Sequence, residues 1–375
     1  MGGLGNTYIC NTLPNLVIMK KILKIFLILF FILLILIVIS SIIFLINANT
    51  FREAQDIVPE VCEEIEIPEG SAEDIQIDRE NRLALLSVMD RRSTVEGIKV
   101  QGTVLGIKLD GDEQKTIRIL SGQPEDFRPH GLSLFTSDQG VQYLFVINHS
   151  TLNGERIELF ERNVNENLFS HVRSFQSEQF IKLNDLVAVS PEKFYVVNDT
   201  GASNTFERVL EMLFSLGMSS LVYFDGDNFI SPLNDLKSSA GINISLEQDK
   251  LYIGETLGKS IRVYGLNEDL SLGVLQDIID LHGGVDNIDI DGENNIWVAS
   301  HINSISLIKH FINKEEYAPT QIQRVSRNDS QNIIKTFFEN DGSLISAGSV
   351  GVRDKESLFI GSITEKKILK CTLNL

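Results

Sequence analysis

The sequence predicts an all-β fold, a six-bladed β-propeller that follows one N-terminal transmembrane helix. Three observations lead to this prediction: a long uncharged apolar run near the N-terminus, short alternating strand patterns separated by turns over the remainder, and a polar strand start that returns six times. The 375 residues could form two average domains, but closed all-β folds often use this length as one domain. An apolar fraction of 43% is sufficient for a large core, so a globular body is expected.

The apolar run extends from Ile25 to Ile46 and contains no charged residue. At about 1.5 Å per helical residue it is long enough to cross the ~30 Å hydrocarbon core of a bilayer. Three lysines precede it, at positions 20, 21 and 24, and the cytosolic flanks of membrane helices are enriched in lysine and arginine. We therefore predict a single-pass type II membrane protein whose body lies in the secretory lumen or outside the cell.

This prediction divides the chain into a cytosolic tail at residues 1–20, a signal-anchor helix at 21–47, a linker at 48–60 and the propeller at 61–375. A cleaved signal peptide, with translation starting at Met19, is the alternative and would make the protein secreted. The anchor is favoured because the apolar run exceeds the ~7 to 15 residues of a signal peptide, and no small-x-small cleavage motif follows it.

The net charge of −18 lies almost wholly beyond the apolar run, where no stripe of lysine and arginine occurs. Nucleic acid is therefore not an expected partner, since binding it needs a basic surface that follows the phosphates. Of the three cysteines, Cys10 lies on the predicted cytosolic side. Cys62 and Cys371 remain, and an oxidising compartment favours their pairing over the alternative of two buried free thiols.

Four sequons fit a lumenal location and predict a glycoprotein, although asparagines inside strand patterns are expected to stay unmodified. They begin at Asn148, Asn198, Asn243 and Asn328.

The repeat consists of a polar or glycine start, a short alternating strand, a turn containing Asp, Asn or Gly, and a second apolar strand. Its copies start at Glu73, His130, Asn184, Gly241, Asp286 and Ile334. Each period leaves room for a further hairpin, and four strands per period form a propeller blade. The alternative is an open β-sandwich, which does not require the polar starts to recur in phase.

Equivalent strand starts of a propeller meet around its central channel, so the repeat predicts a site. The converging residues are mainly oxygen donors: Glu73, Asp74, His130, Asn184, Asp185, Asp286 and Asn287. Buried carboxylates repel one another unless a cation lies between them. Calcium accepts six to eight oxygen ligands with tolerant geometry, so it is the expected ion. The alternative is that these residues only cap strand starts.

Two histidines belong to the same predicted hairpin. His130 starts its repeat and His149 ends the hairpin, so antiparallel pairing places both at one rim of the channel. Two imidazoles beside a metal are suited to general-base activation of water. A separate segment, residues 204–216, has apolar residues at helical spacing and is predicted to be a helix that covers the channel mouth, contacts a bilayer or covers the core.

At these residues the sequence resembles the paraoxonase/arylesterase family, over about residues 60–373. The matching stretches, in order, are GSAEDIQI, FRPHGLSLFT, YLFVINH, LNDLVAVSPEKFYVVND, GINIS, LYIGETLGKSIRVY, VDNIDID, IWVASH and ITEKKILKCTL. Several stretches in the same order are more specific than any single motif.

The resemblance implies a six-bladed propeller closed by a Cys62–Cys371 disulfide, with two calcium ions in its channel. It implies that a catalytic calcium polarises the carbonyl of a lactone or aryl ester. The implied ligands of this ion are Glu73, Asn184, Asp286 and Asn287, and those of a structural calcium are Asp74, Asp185 and the carbonyl of Leu132. The implied catalytic dyad is His130 with His149, and His301 and Asp199 are implied rim residues that face the substrate.

One position departs from the family pattern. The family's NGINIS is replaced by AGINIS, so an expected amide ligand of the catalytic calcium is Ala240. Asn243 lies three positions further and points to the opposite face of a strand, so it does not replace that ligand.

The leading hypothesis is therefore a calcium-dependent hydrolase of lactones or aryl esters, with a small-molecule substrate. The alternative is a non-catalytic, calcium-stabilised propeller that acts as a binding or scaffold protein. A third hypothesis is a condensing enzyme of the strictosidine-synthase type, which uses the same fold without a calcium hydrolase centre.

Overall fold

The computed structural model describes residues 13–111, 114–163, 168–328 and 331–374. Its first element is a continuous helix, α1 (Leu13–Asn47). Residues 18–47 of this helix are long and apolar enough to cross a membrane, and none of its most apolar window is buried against the protein. The predicted N-terminal helix is confirmed, and its exposed apolar surface indicates an environment other than the propeller core.

Six antiparallel sheets follow, with strands numbered in chain order. The first blade contains β2 (Ser71–Asp78), β3 (Leu83–Met89), β4 (Thr103–Lys108) and β5 (Thr116–Arg118). The second contains β7 (Pro129–Thr136), β8 (Gln142–Ser150), β9 (Gly154–Asn163) and β10 (Leu168–Phe175), with β6 (Leu120–Ser121) parallel to β10. The third contains β11 (Leu183–Ser190), β12 (Lys193–Asn198), β13 (Ser219–Phe224) and β14 (Phe229–Leu236).

The fourth blade contains β15 (Ser239–Ile244), β16 (Lys250–Glu255), β17 (Ser260–Leu266) and β18 (Leu272–Asp280). The fifth contains β19 (Gly284–Ile290), β20 (Ile296–His301), β21 (Thr320–Asn328) and β22 (Gln331–Asn340). The sixth contains β23 (Gly348–Asp354), β24 (Ser357–Ser362) and β25 (Lys367–Thr372), and β1 (Val61–Glu66) completes it. Three short helices interrupt the strands: α2 (Arg91–Val95), α3 (Thr205–Phe214) and α4 (Ser304–Ile312).

The first strand of each blade lies at the centre, and these six inner strands contact one another in a closed ring. β2 contacts β7 and β23, β11 contacts β7 and β15, and β19 contacts β15 and β23. Apolar side chains fill the spaces between neighbouring blades, as in the cluster that joins Phe145 of the second blade to Phe194 of the third. The predicted six-bladed propeller is confirmed, and the alternative of an open sandwich is wrong.

The sixth repeat was placed incorrectly by the sequence pattern. The stretch that starts at Ile334 belongs to β22, the outermost strand of the fifth blade, and the sixth inner strand is β23. Helix α4 is inserted between β20 and β21, so the fifth blade is longer than its neighbours. Because of this insertion, the spacing of the other repeats predicts a start within β22, before the true inner strand β23.

The ring is closed by the two ends of the propeller. β1 pairs with β25 in an antiparallel register that sets Cys62 opposite Cys371. The two cysteines form a disulfide that links residues 309 positions apart in the sequence. The predicted pairing is confirmed, and it covalently joins β1 and β25, the first and last strands of the propeller, which are the two outer strands of the sixth blade.

Two of the four sequon asparagines are buried, and a third is half-buried on an inner strand. The side chains of Asn148 and Asn198 are buried, and their amides donate to Glu158 and Ser220. Asn243 lies on inner strand β15 and donates to the carbonyl of Ile288. These contacts agree with the expectation that strand sequons stay unmodified, while the side chain of Asn328 lies outside the described part of the structure.

Candidate active site

A cavity of about 380 Å³ opens at one mouth of the central channel. Its floor comes from the starts of five inner strands, β2, β7, β11, β15 and β19, which begin at this mouth. Eight of the residues that the sequence singled out line it: Glu73, His130, His149, Asn184, Asp199, Ala240, Asp286 and His301. The structure therefore brings together side chains that are separated by more than 200 positions in the sequence.

Glu73 belongs to this floor and is almost fully buried. Its Oε1 atom accepts a hydrogen bond of 2.9 Å from Asn287, which does not itself line the cavity. Its Oε2 atom lies 3.7 Å from His130 Nδ1 and 4.0 Å from Arg91 Nη2. Both distances exceed that of a hydrogen bond, so Oε2 has no donor among the residues that the structure describes.

A second group of predicted ligands lies next to this floor. Asp74 Oδ2 accepts a hydrogen bond of 2.8 Å from the Leu132 amide, and Asp74 Oδ1 accepts one from the Ile75 amide. Asp185 binds the amides of Leu186 and Ile242 in the same way, at 2.8 and 2.9 Å. We call Glu73, Asn184, Asp286 and Asn287 the outer set, and Asp74, Asp185 and the Leu132 carbonyl the inner set.

Close approach of the inner strands makes these contacts possible. A Cβ atom on Gly241 would lie 2.4 Å from the carbonyl oxygen of Asp286, and one on Gly131 would lie 2.6 Å from Asp185 Oδ1. Only glycine fits at these two positions because any side chain would push adjacent blades apart.

The carboxylates at this mouth repel one another. Burial raises the pKa of Glu73 to about 8; the charge of Arg91 opposes the shift, and those of Asp286 and Asp74 add to it. Burial likewise raises the pKa of Asp74 to about 7 and that of Asp185 well above its usual range. Among the described residues that shift these pKa values, Arg91 is the one cation, and its single charge does not offset the charges of all these carboxylates.

Three acceptor oxygens of the outer set are buried and have no hydrogen-bond donor among the described residues: Glu73 Oε2, Asn184 Oδ1 and Asn287 Oδ1. They come from the first, third and fifth blades, so they approach the channel axis from different sides. Buried oxygens that lack a hydrogen-bond donor, next to carboxylates that repel one another, are the ligands that suit a hard divalent cation.

In the part of the chain that the structure describes, no group of three or more His, Cys, Asp or Glu side chains is arranged as a metal site. The outer set contains only two carboxylates, Glu73 and Asp286, and its other members are amides. The inner set also has two carboxylates, together with a backbone carbonyl. Each set therefore depends on ligands other than acids and imidazoles.

The two predicted histidines lie side by side. The ring centroids of His130 and His149 are 4.7 Å apart. Burial holds the pKa of His130 well below its usual range, and a positive charge on His149 would lower it further. His130 is therefore neutral near pH 7 and can accept a proton.

Glu155 was missed by the sequence analysis, although it holds His149 in place. His149 Nδ1 lies 2.8 Å from Glu155 Oε2, and the same oxygen accepts a hydrogen bond from the Leu183 amide. His149 and Glu155 are directly opposite each other in the β8–β9 hairpin. The turn at residues 151–153 is a signal that could have identified this pair.

The two predicted rim residues take part in other interactions. His301 Nε2 lies 2.8 Å from Asp286 Oδ2, and its Nδ1 has no partner among the described residues. Asp199 receives hydrogen bonds from Arg208 and Ser238. Burial acts to raise the pKa of Asp199, but the charges of Lys182 and Arg208 outweigh it and keep that pKa below its usual value.

Two helices form the upper wall of the cavity. Arg208 and Met212 of α3 and Leu307, Ile308 and Phe311 of α4 face it. Helix α3 confirms the predicted helical segment and lies over the mouth, whereas α4 was not predicted. Its N-cap Asn303, whose side chain accepts from the Ser306 amide, was the available sequence signal.

The end of α1 is attached beside this mouth. The Ser304 amide, at the start of α4, donates a hydrogen bond of 3.0 Å to the carbonyl of Ala48. Lys259 Nζ donates to Asn49 Oδ1 at 2.7 Å, and α1 also contacts α3. The apolar helix and the cavity therefore lie on the same face of the propeller.

The fold and this site define a class: β-propellers with acids, amides and histidines gathered at one mouth of the channel. A family model described as Arylesterase matches residues 53–373. Rat serum paraoxonase/arylesterase 2 (Rattus norvegicus) is 28% identical over 325 residues, which cover 84% of this chain and 90% of the relative. Mouse serum paraoxonase/lactonase 3 (Mus musculus) is 25% identical over 340 residues, covering 87% and 92%.

Among solved structures, a luciferin-regenerating enzyme superposes with a TM-score of 0.51 at 12% identity, over 83% of this chain and 95% of that one. This likeness supports the propeller fold alone. The match over residues 53–373 covers the whole propeller, and the chain belongs to the arylesterase family.

Proposed function

We propose that this protein is a calcium-dependent hydrolase of lactones or aryl esters. One observation carries the proposal. Three buried oxygens from the first, third and fifth blades lack a hydrogen-bond donor among the described residues, and they converge beside the His130–His149 pair. The printed names of the relatives, arylesterase and lactonase, support the same reaction class. Hydrolysis of either substrate replaces one acyl C–O bond with another.

The residues fit two calcium ions. The outer set would hold a catalytic ion at the floor of the cavity, and the inner set would hold a structural ion next to it. When bound, the outer calcium supplies a Lewis acid that polarises the substrate carbonyl and stabilises negative charge on its oxygen.

His130 acts as the general base. It is neutral near pH 7, so it takes a proton from water as the water oxygen bonds to the carbonyl carbon. His149 lies beside His130, and the contact between His149 and Glu155 keeps the two imidazoles oriented. The proton then passes to the departing alkoxide or phenoxide as the original C–O bond breaks, which restores neutral His130.

The cavity walls favour a lipophilic substrate. Met212, Leu307, Ile308 and Phe311 present apolar surface above the polar floor. An acyl chain or aromatic ring can lie against these side chains while the carbonyl faces the outer set. The same walls lie beside the end of α1, which we propose to be an uncleaved type II anchor that keeps the mouth close to the membrane surface.

The test uses the full-length chain in detergent micelles with a panel of γ-lactones, δ-lactones and phenyl acetate. Hydrolysis is expected in millimolar calcium and is expected to disappear after chelation and return when calcium is restored. His130→Gln should lower the rate by about 100-fold, as expected for loss of a general base. Absence of hydrolysis above the buffer rate on every substrate would contradict the proposal.

A second candidate function is a calcium-stabilised propeller that binds a ligand without turnover. Ala240 favours it, because this residue lines the cavity with a methyl group where the family resemblance implies an amide ligand. This candidate predicts calcium-dependent stability, measured as a higher melting temperature, together with no hydrolysis by the unmodified chain.

A further inference from the structure

Helix α4 contains a buried histidine that the proposed mechanism does not use. Leu307, Ile308 and Phe311 of this helix line the cavity, whereas His310 is not among the lining side chains. His310 is only 1% exposed, and its ring contacts three other parts of the propeller. These contacts therefore determine how firmly this wall of the cavity is held.

The contacts of His310 define which of its ring nitrogens carries the proton. Nδ1 lies 2.6 Å from the carbonyl oxygen of Glu316, which can only accept a hydrogen bond, so Nδ1 is the donor. Nε2 lies 2.7 Å from Thr364 Oγ1 and 2.9 Å from Arg92 Nη2. Because a guanidinium can only donate, Nε2 is the unprotonated acceptor. These contacts together require a neutral imidazole.

Arg92 joins the end of α4 to helix α2. Its Nη1 atom donates to the carbonyl oxygens of His310 and Phe311, at 2.9 and 3.2 Å. The last carbonyls of a helix lack partners within the helix and attract cations, so this guanidinium stabilises the end of α4. The adjacent Arg91 donates at 2.7 Å to the carbonyl of Pro129, at the start of β7. Helix α2 is therefore bonded to both the floor and the wall of the cavity.

Protonation of His310 is incompatible with these contacts. A proton on Nε2 would remove the acceptor for Thr364 and would set a second positive charge beside the Arg92 guanidinium. Burial lowers the pKa of His310, and the charge of Arg92 adds to this shift. The Glu316 carbonyl and the charge of Glu365, on the β24–β25 loop, oppose it. His310 is therefore neutral near pH 7, and these contacts are lost when acid protonates it.

We propose that Arg92 and His310 are positioning residues that hold α4 against the cavity and thereby set its affinity for long-chain substrates. The inference rests on the proposed hydrolase, because it concerns how the same cavity binds its substrate. While His310 is neutral, α4 is held and its apolar side chains can contact an acyl chain. Protonation of His310 releases the end of α4, so long-chain substrates bind weakly in acid. Neither residue lines the cavity, so neither takes part in the bond changes.

The test measures kcat and KM of the full-length chain in detergent and calcium, from acid to neutral pH, on γ-dodecalactone and on γ-butyrolactone, which has no chain to contact α4. In the wild type, KM for the long lactone should rise about tenfold as the pH falls below the ordinary histidine pKa of about 6.5. KM for the short lactone should stay constant. Any acid loss that arises at His130 lowers kcat for both substrates, so it does not change this comparison.

Variants separate the charge of His310 from its packing. Arg92→Gln should show the raised KM for the long lactone at every pH, and Arg92→Lys, which keeps a charged donor, should recover part of the loss. His310→Gln should keep the wild-type KM near pH 7 and lose the rise in acid, because the amide oxygen replaces Nε2 as an acceptor and does not titrate. His282→Gln, at an exposed histidine that contacts Asp280, is the matched control and should behave as the wild type.

Hydrogen exchange separates a failure of this inference from a failure of the proposed function, because it needs no turnover. After correction for the intrinsic rate at each pH, protection of the α4 amides should fall in acid in the wild type but not in His310→Gln. If this occurs without hydrolysis of any lactone, the positioning of α4 stands and the hydrolase proposal fails. Equal α4 protection in acid and at neutral pH in the wild type, or an acid rise in KM that persists in His310→Gln, would overturn the inference.

Discussion

At the scale of single residues, the histidine pair depends on a carboxylate that does not reach the cavity floor. Glu155 bonds His149 and the Leu183 amide, so it fixes the imidazole between the second and third blades. It is a positioning residue, because it acts on water only through the two histidines.

Glu155→Gln should therefore lower kcat by about tenfold while leaving KM nearly unchanged, since substrate binding does not use this group. Glu155→Asp should recover part of the loss because it keeps the charge. Steady-state kinetics on one lactone measures both. Glu161→Gln, on the exposed side of the same strand, is the control and should behave as the wild type; a loss that appears mainly in KM would argue against positioning.

Ala240 is the second informative residue. It is buried in β15 and lines the cavity, next to the tightly packed Gly241. An amide at this position would reach the space that the outer set surrounds.

Ala240→Asn should raise calcium affinity and the rate of lactone hydrolysis by about tenfold, because one neutral oxygen ligand is added. Ala240→Leu has a similar volume without the oxygen, so it should give no gain. Calcium titration and initial rates measure the two effects. If both variants behave alike, the position does not contribute a ligand.

At the scale of secondary-structure elements, ring closure rests on β1 and its disulfide to β25. Removal of a native disulfide typically costs about 2–5 kcal/mol, and the chain-entropy model gives larger values for longer loops. Here the loop contains nearly the entire propeller, since the cysteines are 309 positions apart.

Replacing both Cys62 and Cys371 with serine should lower the free energy of unfolding by about 2–5 kcal/mol, measured by denaturant titration in detergent. Cys10→Ser, in the predicted cytosolic tail, should leave the free energy of unfolding unchanged. Equal stabilities of the double variant and the wild type would mean that strand pairing alone closes the ring.

The sequence was informative about elements that follow a period and less so about insertions. Strand alternation and polar starts located five inner strands, because the blades repeat a common geometry. Helix α4 broke the spacing, so the sixth inner strand was assigned to residues of β22. The partners Glu155 and Arg91 were also missed, since they depend on contacts between strands and blades that a linear pattern does not contain.

At the scale of the whole molecule, calcium should control the pH dependence of stability. In calcium-free protein, folding raises the pKa of Glu73 to about 8 and that of Asp74 to about 7. A carboxyl group with a raised folded pKa stabilises the protein fully below its unfolded pKa, and this contribution is lost as pH rises through the folded value.

In chelator, the melting temperature should therefore fall between pH 5 and pH 8 by roughly 5 °C or more, since ~1 kcal/mol shifts a domain of this size by ~2 °C. With calcium bound, the carboxylates stay ionised because the ion offsets their charge, so this fall should disappear. Thermal denaturation at several pH values, with and without chelator, checks both statements. The same fall in both conditions would place its origin outside the two ligand sets.

The central claim is that oxygens from different blades share divalent ions at the mouth of the channel. Elemental analysis of the purified full-length chain, after dialysis against metal-free buffer, tests it most directly. We predict two calcium ions per chain, falling to at most one when Glu73 is replaced by Gln. A chain that retains no calcium and melts at the same temperature with and without chelator would contradict the account.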